Sequence, residues 1–152
     1  HMVSVRFVNG LLIDIDSEEQ VQAIESALND SKGRYTGVHT HLDRALAMLA
    51  NRKDPDYRNS IKETISAVES IACIIANKPK AELGEALKEI EKKHALHGAL
   101  KASFSSLYGY TSDASGIRHK LLDEPSLDQS DAKFMLVSCS AFVSYLIAKA
   151  EV

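Results

Sequence analysis

An arginine and a histidine stand side by side at Arg118 and His119, inside the run TSDASGIRHKLLDE at 111–124. A guanidinium stays cationic and grips an oxyanion through paired N–H groups, and an imidazole titrates near neutral pH and can move a proton. Together they suit phosphate chemistry, one group binding the oxyanion and the other serving as acid or base. Ser112, Asp113, Ser115 and Gly116 are turn formers that would present the pair. Neighbouring side chains on a helix point about 100° apart, so these two would meet on one phosphate only across a helix N-terminus or a dimer axis. A helix starting near Gly116 would add free N–H groups and a positive dipole end. A structural role is the alternative: Arg118 in a buried salt bridge with Asp113, Glu69 or Asp123, and His119 capping a helix or bonded to a backbone carbonyl.

A second polar set lies upstream. Arg58, Lys62, Ser66 and Glu69 fall within one narrow sector of a helix, with Asn59 beside them and Tyr108 as a further polar partner. Arg58 and Lys62 are one turn apart, where like charges repel. The functional reading is a contact to an anion or to RNA phosphate. The structural reading is a polar network, with Arg58 paired to a carboxylate on another helix or subunit. Arg34 followed by His39, or by His41, forms an alternative Arg–His pair at longer spacing. His94 and His97 could ligate a metal, but no third His or Cys stands at matching spacing, and zinc sites need three or four ligands. Neither a metal nor any other cofactor is expected.

Several elements must position these groups. His1-Met2 reads as a cloning remnant. Asn9-Gly10 between apolar runs at 3–8 and 11–15 predicts a hairpin with a type I′ turn. A lone hairpin is marginal in water. It must dock on the helices, on a second copy, or on a part of the protein absent here, and the last two are the expectation. Ser17-Glu18-Glu19-Gln20 fits a capping box ahead of Val21, Ile24 and Leu28. After a loop at 30–37, Val38, Leu42, Ala45, Leu46 and Leu49 make a second helical stripe. Asp54-Pro55 predicts the start of a third helix, with Tyr57, Ile61, Ile65, Val68, Ala72 and Ile75 as its stripe and Asn77-Lys78-Pro79 as its end. A fourth helix spans 81–93, and a fifth carries Leu96, Leu100, Phe104, Leu107 and Tyr108, with Gly109 as its stop. Ser126-Leu127-Asp128-Gln129 reads as a capping box for a last helix, at about 128–150, that is apolar nearly all round. Such a helix is a central core element, a dimer interface, or both.

The chain of 152 residues is long enough for a real core, and its 45% hydrophobic and 26% charged content is that of a soluble globular protein. Its net charge of −3 argues against a broad DNA binder, and no DNA partner is expected. Cys73 and Cys139 sit in apolar helical runs as small core residues. With no disulfide framework, no signal peptide and no run near the ~18 apolar residues of a membrane span, the cytoplasm is the expected compartment.

Three stretches bear on a family: DYRNSIKETISAVE at 56–69, LYGYTSDASGIRH at 107–119 and AKFMLVSCSAFVSYL at 132–146. Together they resemble the C-terminal HEPN-type domain of AbiJ-like abortive phage-infection proteins, and RFVNG at 6–10 resembles the segment just before that domain. The resemblance implies an all-α fold, an up-and-down bundle of five to six helices that dimerises through its apolar C-terminal helix, preceded by a short β-hairpin. It divides the chain into a hairpin and connecting helix at 3–30 and the bundle at 31–152. It also implies a separate N-terminal domain that is absent here, and a bacterial cytoplasmic setting. Many HEPN proteins are metal-independent ribonucleases. A His takes the ribose 2′-hydroxyl proton, an Arg stabilises the transition state, and two subunits compose the site, so that tRNA or mRNA is the expected substrate. Their usual signature places four to six residues between Arg and His. Arg118 and His119 depart from it, whereas Arg34 and His39 match it but lie outside the three stretches. A non-catalytic sensor of nucleotide or RNA, or a dimerisation module regulating the absent domain, stands as the alternative function.

Overall fold

β1 (Val5–Val8) and β2 (Leu11–Asp14) pair antiparallel, with Val8 opposite Leu11 and Phe7 opposite Leu12. This is a computed structural model, and it describes residues 5–15, 17–112 and 127–151. Asn9 and Gly10 adopt φ of 48° and 79°, the pair of positive angles that a type I′ turn demands. The helices that follow are α1 (Glu18–Ser31), α2 (Thr36–Ala50), α3 (Tyr57–Ala76), α4 (Leu83–His94), α5 (Gly98–Ser112) and α6 (Gln129–Ala150). The chain is thus predominantly helical, with a two-stranded hairpin ahead of the bundle.

The hairpin docks one face on helices of its own chain, the first of the three surfaces open to it. Val8, Ile13 and Ile15 join the same buried cluster as the helices, because alternation puts them on one face of the ribbon. Arg6 pairs with Glu18 of α1 at 2.8 Å, and Asn9 Nδ2 donates to Asp43 Oδ1 of α2 at 3.0 Å. Phe7 and Leu12, cross-strand partners on the other face, stay exposed.

The helices bury most of the stripe residues that periodicity marks out, but in the fifth helix Leu100 is exposed and Phe104, Leu107 and Tyr108 are only partly buried. Val21, Ile24 and Leu28 of α1 are buried, as are Val38, Leu42, Ala45, Leu46 and Leu49 of α2 and Ile61, Ile65, Val68 and Ala72 of α3. α2 and α3 run antiparallel: His41 meets Glu63, and further along α2 the carbonyl of Ala45 accepts from Ser60 Oγ at 2.7 Å. α3 packs against α2 on one side and α6 on the other. Five sequence expectations about helix ends need correction. Ser17 makes no side-chain cap; its hydroxyl donates to Glu19 instead, at 2.6 Å. The cap of α3 is Asp56, which accepts from Asn59 N, so the helix starts beyond Asp54-Pro55. Only 32–35 separate α1 from α2, a shorter loop than expected. Gly109 does not stop α5, which runs on to Ser112, and it does not adopt a left-handed conformation. The box opening α6 is formed by Asp128 and Asp131 rather than by Ser126 and Gln129.

α6 is central to the bundle. Ala132, Met135, Leu136, Cys139, Phe142, Val143, Leu146 and Ile147 are buried against its neighbours, and Phe104 of α5 stacks on Phe142. Contrary to the sequence expectation, this helix is long and apolar enough to cross a membrane, since Ser138, Ser140 and Ser144 interrupt its hydropathy only weakly. Half of its apolar window is buried within the bundle. Phe134, 59% accessible, is the large apolar side chain that α6 leaves outside.

Candidate functional site

The polar sector of α3 exists because the other faces of that helix are consumed. Ser60, Thr64, Ala67 and Ile71 are buried, as are Ile61, Ile65 and Val68. What remains between them is the line Arg58, Lys62, Ser66 and Glu69, all half-buried. Its ends are eleven positions apart, about 16 Å along the axis at 1.5 Å per residue. At the far end, the Tyr108 hydroxyl of α5 donates to Glu69 Oε1 at 2.7 Å. Thr111, buried in the last turn of α5, donates its hydroxyl to the Tyr108 carbonyl at 2.8 Å and steadies that turn. At the near end, Arg58 Nε is buried and has no hydrogen-bond partner. Asn59 serves the fold: its Nδ2 donates to Asp56 Oδ2 at 2.7 Å, bracing the cap.

Arg118, His119 and Asp113 lie outside the described residues, and Ser112 is the last residue of α5. Arg34 and His39 are drawn to different partners. Arg34 pairs with Glu151 at 3.0 Å and lies over the Tyr35 ring, and His39 Nδ1 donates to the Leu28 carbonyl at 2.9 Å. That bond leaves Nε2 of His39 as its remaining ring nitrogen. His97 caps α5, its Nδ1 accepting from Ala99 N at 3.1 Å. Among the described residues no three His, Cys, Asp or Glu side chains gather as a metal site.

Sequence reasoning missed one pair. His41 Nδ1 and Glu63 Oε2 meet at 2.6 Å across the α2–α3 seam, both largely shielded from solvent. The two are far apart in sequence, and only the facing positions of an antiparallel helix pair could have flagged them.

No family model, curated protein or solved structure matches the chain. The near end of the α3 sector is cationic, and its far end is a carboxylate held by a phenol, where the backbone leaves α5 for 113–126. The two thiols are held towards their protonated form. Burial pushes Cys139 up to about 12, and burial, then the Glu69 carboxylate, raises Cys73.

Proposed function

We propose that the chain is a HEPN-type domain of a bacterial abortive-infection protein, acting in the cytoplasm as a homodimeric, metal-independent endoribonuclease. Arg118 and His119 carry the chemistry. His119 takes the proton of a ribose 2′-hydroxyl, the 2′-oxygen attacks the adjacent phosphorus, and Arg118 balances the charge that builds on the phosphoryl oxygens. The bond to the 5′-oxygen breaks, leaving a 2′,3′-cyclic phosphate on one fragment and, after protonation, a 5′-hydroxyl on the other.

One observation carries this reading. The Tyr108–Glu69 hydrogen bond pins the last turn of α5 onto the polar sector of α3, and Arg118 follows only six residues after α5 ends. Two polar groups selected from sequence alone thus converge where the chain enters the segment bearing the reactive pair. The dimer contact fits the outer side of α6, where Phe134 stands exposed beside an apolar recess lined by Leu107 and Met135. Cleavage of tRNA and single-stranded RNA in EDTA, with Arg118→Ala and His119→Ala as controls, tests the reading.

The exposed Phe134 also favours a second reading, a dimerisation or RNA-sensing module without turnover. It predicts saturable, salt-sensitive RNA binding and intact substrate at every pH from about 5 to 9.

A further inference from the structure

Arg58 is a cation for which the described fold provides no anion. Its Nε is buried and makes no hydrogen bond. A guanidinium carries five donors, and burying a charged donor without an acceptor is costly. One turn along stands Lys62, half-buried, and like charges at this spacing repel. Among the described residues neither forms an ion pair. The nearby carboxylates are committed elsewhere: Asp56 to the cap of α3, Glu63 to His41, and Glu69 to Tyr108. The chain as a whole carries a net charge of −3, so this pair is a local feature and not part of a broadly basic surface.

We propose that Arg58 and Lys62 form a subsite for the phosphodiester backbone of single-stranded RNA, a choice of ligand that rests on the ribonuclease reading above. A phosphate offers the guanidinium two acceptors at once and takes a point charge from the ammonium without geometric demand. It gives the accessible part of the guanidinium an acceptor and offsets the repulsion between the two cations together. A carboxylate from a second copy would serve Arg58 but leaves Lys62 unaccounted for. Residues that hold an anion in the complex are strained without it, so their removal should not destabilise the free protein.

The experiment is a fluorescence-anisotropy titration of a fluorescein-labelled 2′-O-methyl uridine 20-mer, whose blocked 2′-oxygens prevent cutting, against wild type, Arg58→Gln and Lys62→Gln. Each variant should bind about tenfold more weakly, and the slope of log K against log salt should fall by about 0.7 per lost cation. Thermal melting should place Arg58→Gln at or above wild type. Wild-type affinity and slope in both variants would overturn the subsite while leaving the ribonuclease reading intact if unmethylated RNA is still cut. Absence of binding by wild type would also overturn it, with cleavage of unmethylated RNA judging the ribonuclease reading separately. A marked fall in Tm, or dissociation of a dimer in Arg58→Gln by light scattering, would assign Arg58 to a protein ion pair and overturn the subsite.

Discussion

Tyr108 of α5 donates its hydroxyl to Glu69 of α3 at 2.7 Å, tying the last turn of one helix to the polar sector of the other. A half-buried hydrogen bond to a charged acceptor is worth about 1–2 kcal/mol. A double-mutant cycle of Tyr108→Phe and Glu69→Gln should therefore show coupling of about 1 kcal/mol in urea denaturation. Strict additivity would mean that the bond does not fix α5 in solution.

His41 and Glu63 join α2 to α3 at 2.6 Å with little solvent around them. Removing one partner strands the other in a partly shielded seam, so Glu63→Ala should cost about 1–2 kcal/mol. The double variant with His41→Ala should recover part of that loss. A double variant less destabilised than Glu63→Ala alone would fit this coupling, whereas a double variant losing the full sum of the two single losses would contradict it.

The capping box at Asp128 and Asp131 opens the helix around which the bundle packs. Asp128→Ala should lower global stability by about 1 kcal/mol, since a cap on a frayed peripheral helix would matter less. An unchanged denaturation midpoint would show that packing of α6 alone fixes its start.

Burial holds the Cys139 thiol protonated up to about pH 12, against 9.0 for an unperturbed group. Below pH 9 the folded and unfolded chains both keep this proton, and it contributes no pH dependence. Between those values the unfolded chain releases it and the folded chain does not, so stability falls as pH rises, by up to about 1.4 kcal/mol per unit. Denaturation at pH 8, 9.5 and 10.5 should show a shallower decline in Cys139→Ala than in wild type. Equal declines would contradict the burial argument, as would rapid iodoacetamide labelling of native Cys139 at pH 8.

The stripe of the second helix was legible because burial follows a single period: each residue from Val38 to Leu49 chosen for it is in the core, whereas Leu100 of the fifth helix is exposed. The Asn9-Gly10 turn was legible because few residue pairs tolerate its two positive φ angles. Helix ends were less so, since Ser17 and Asp54 are good caps by type, yet geometry assigned one hydroxyl to Glu19 and passed the second role to Asp56. Gly109 looked like a stop, but glycine also sits inside a helix when packing supports it, as the bond from Tyr108 to Glu69 does for α5. Of the candidate site, the shared face of Arg58, Lys62, Ser66 and Glu69 could be read from spacing. The acceptor that Tyr108 finds, and the one that Arg58 lacks, depend on neighbouring helices and could not. The same holds for His41 and Glu63, whose meeting is set by the register of α2 on α3.

The most direct test of the account is RNA cleavage by the purified protein in EDTA, run beside Arg118→Ala and His119→Ala of matched melting temperature. The account predicts metal-free cutting that leaves 2′,3′-cyclic phosphate ends and disappears in both variants. Intact RNA with the wild-type protein, or cutting that persists in folded His119→Ala, would contradict it.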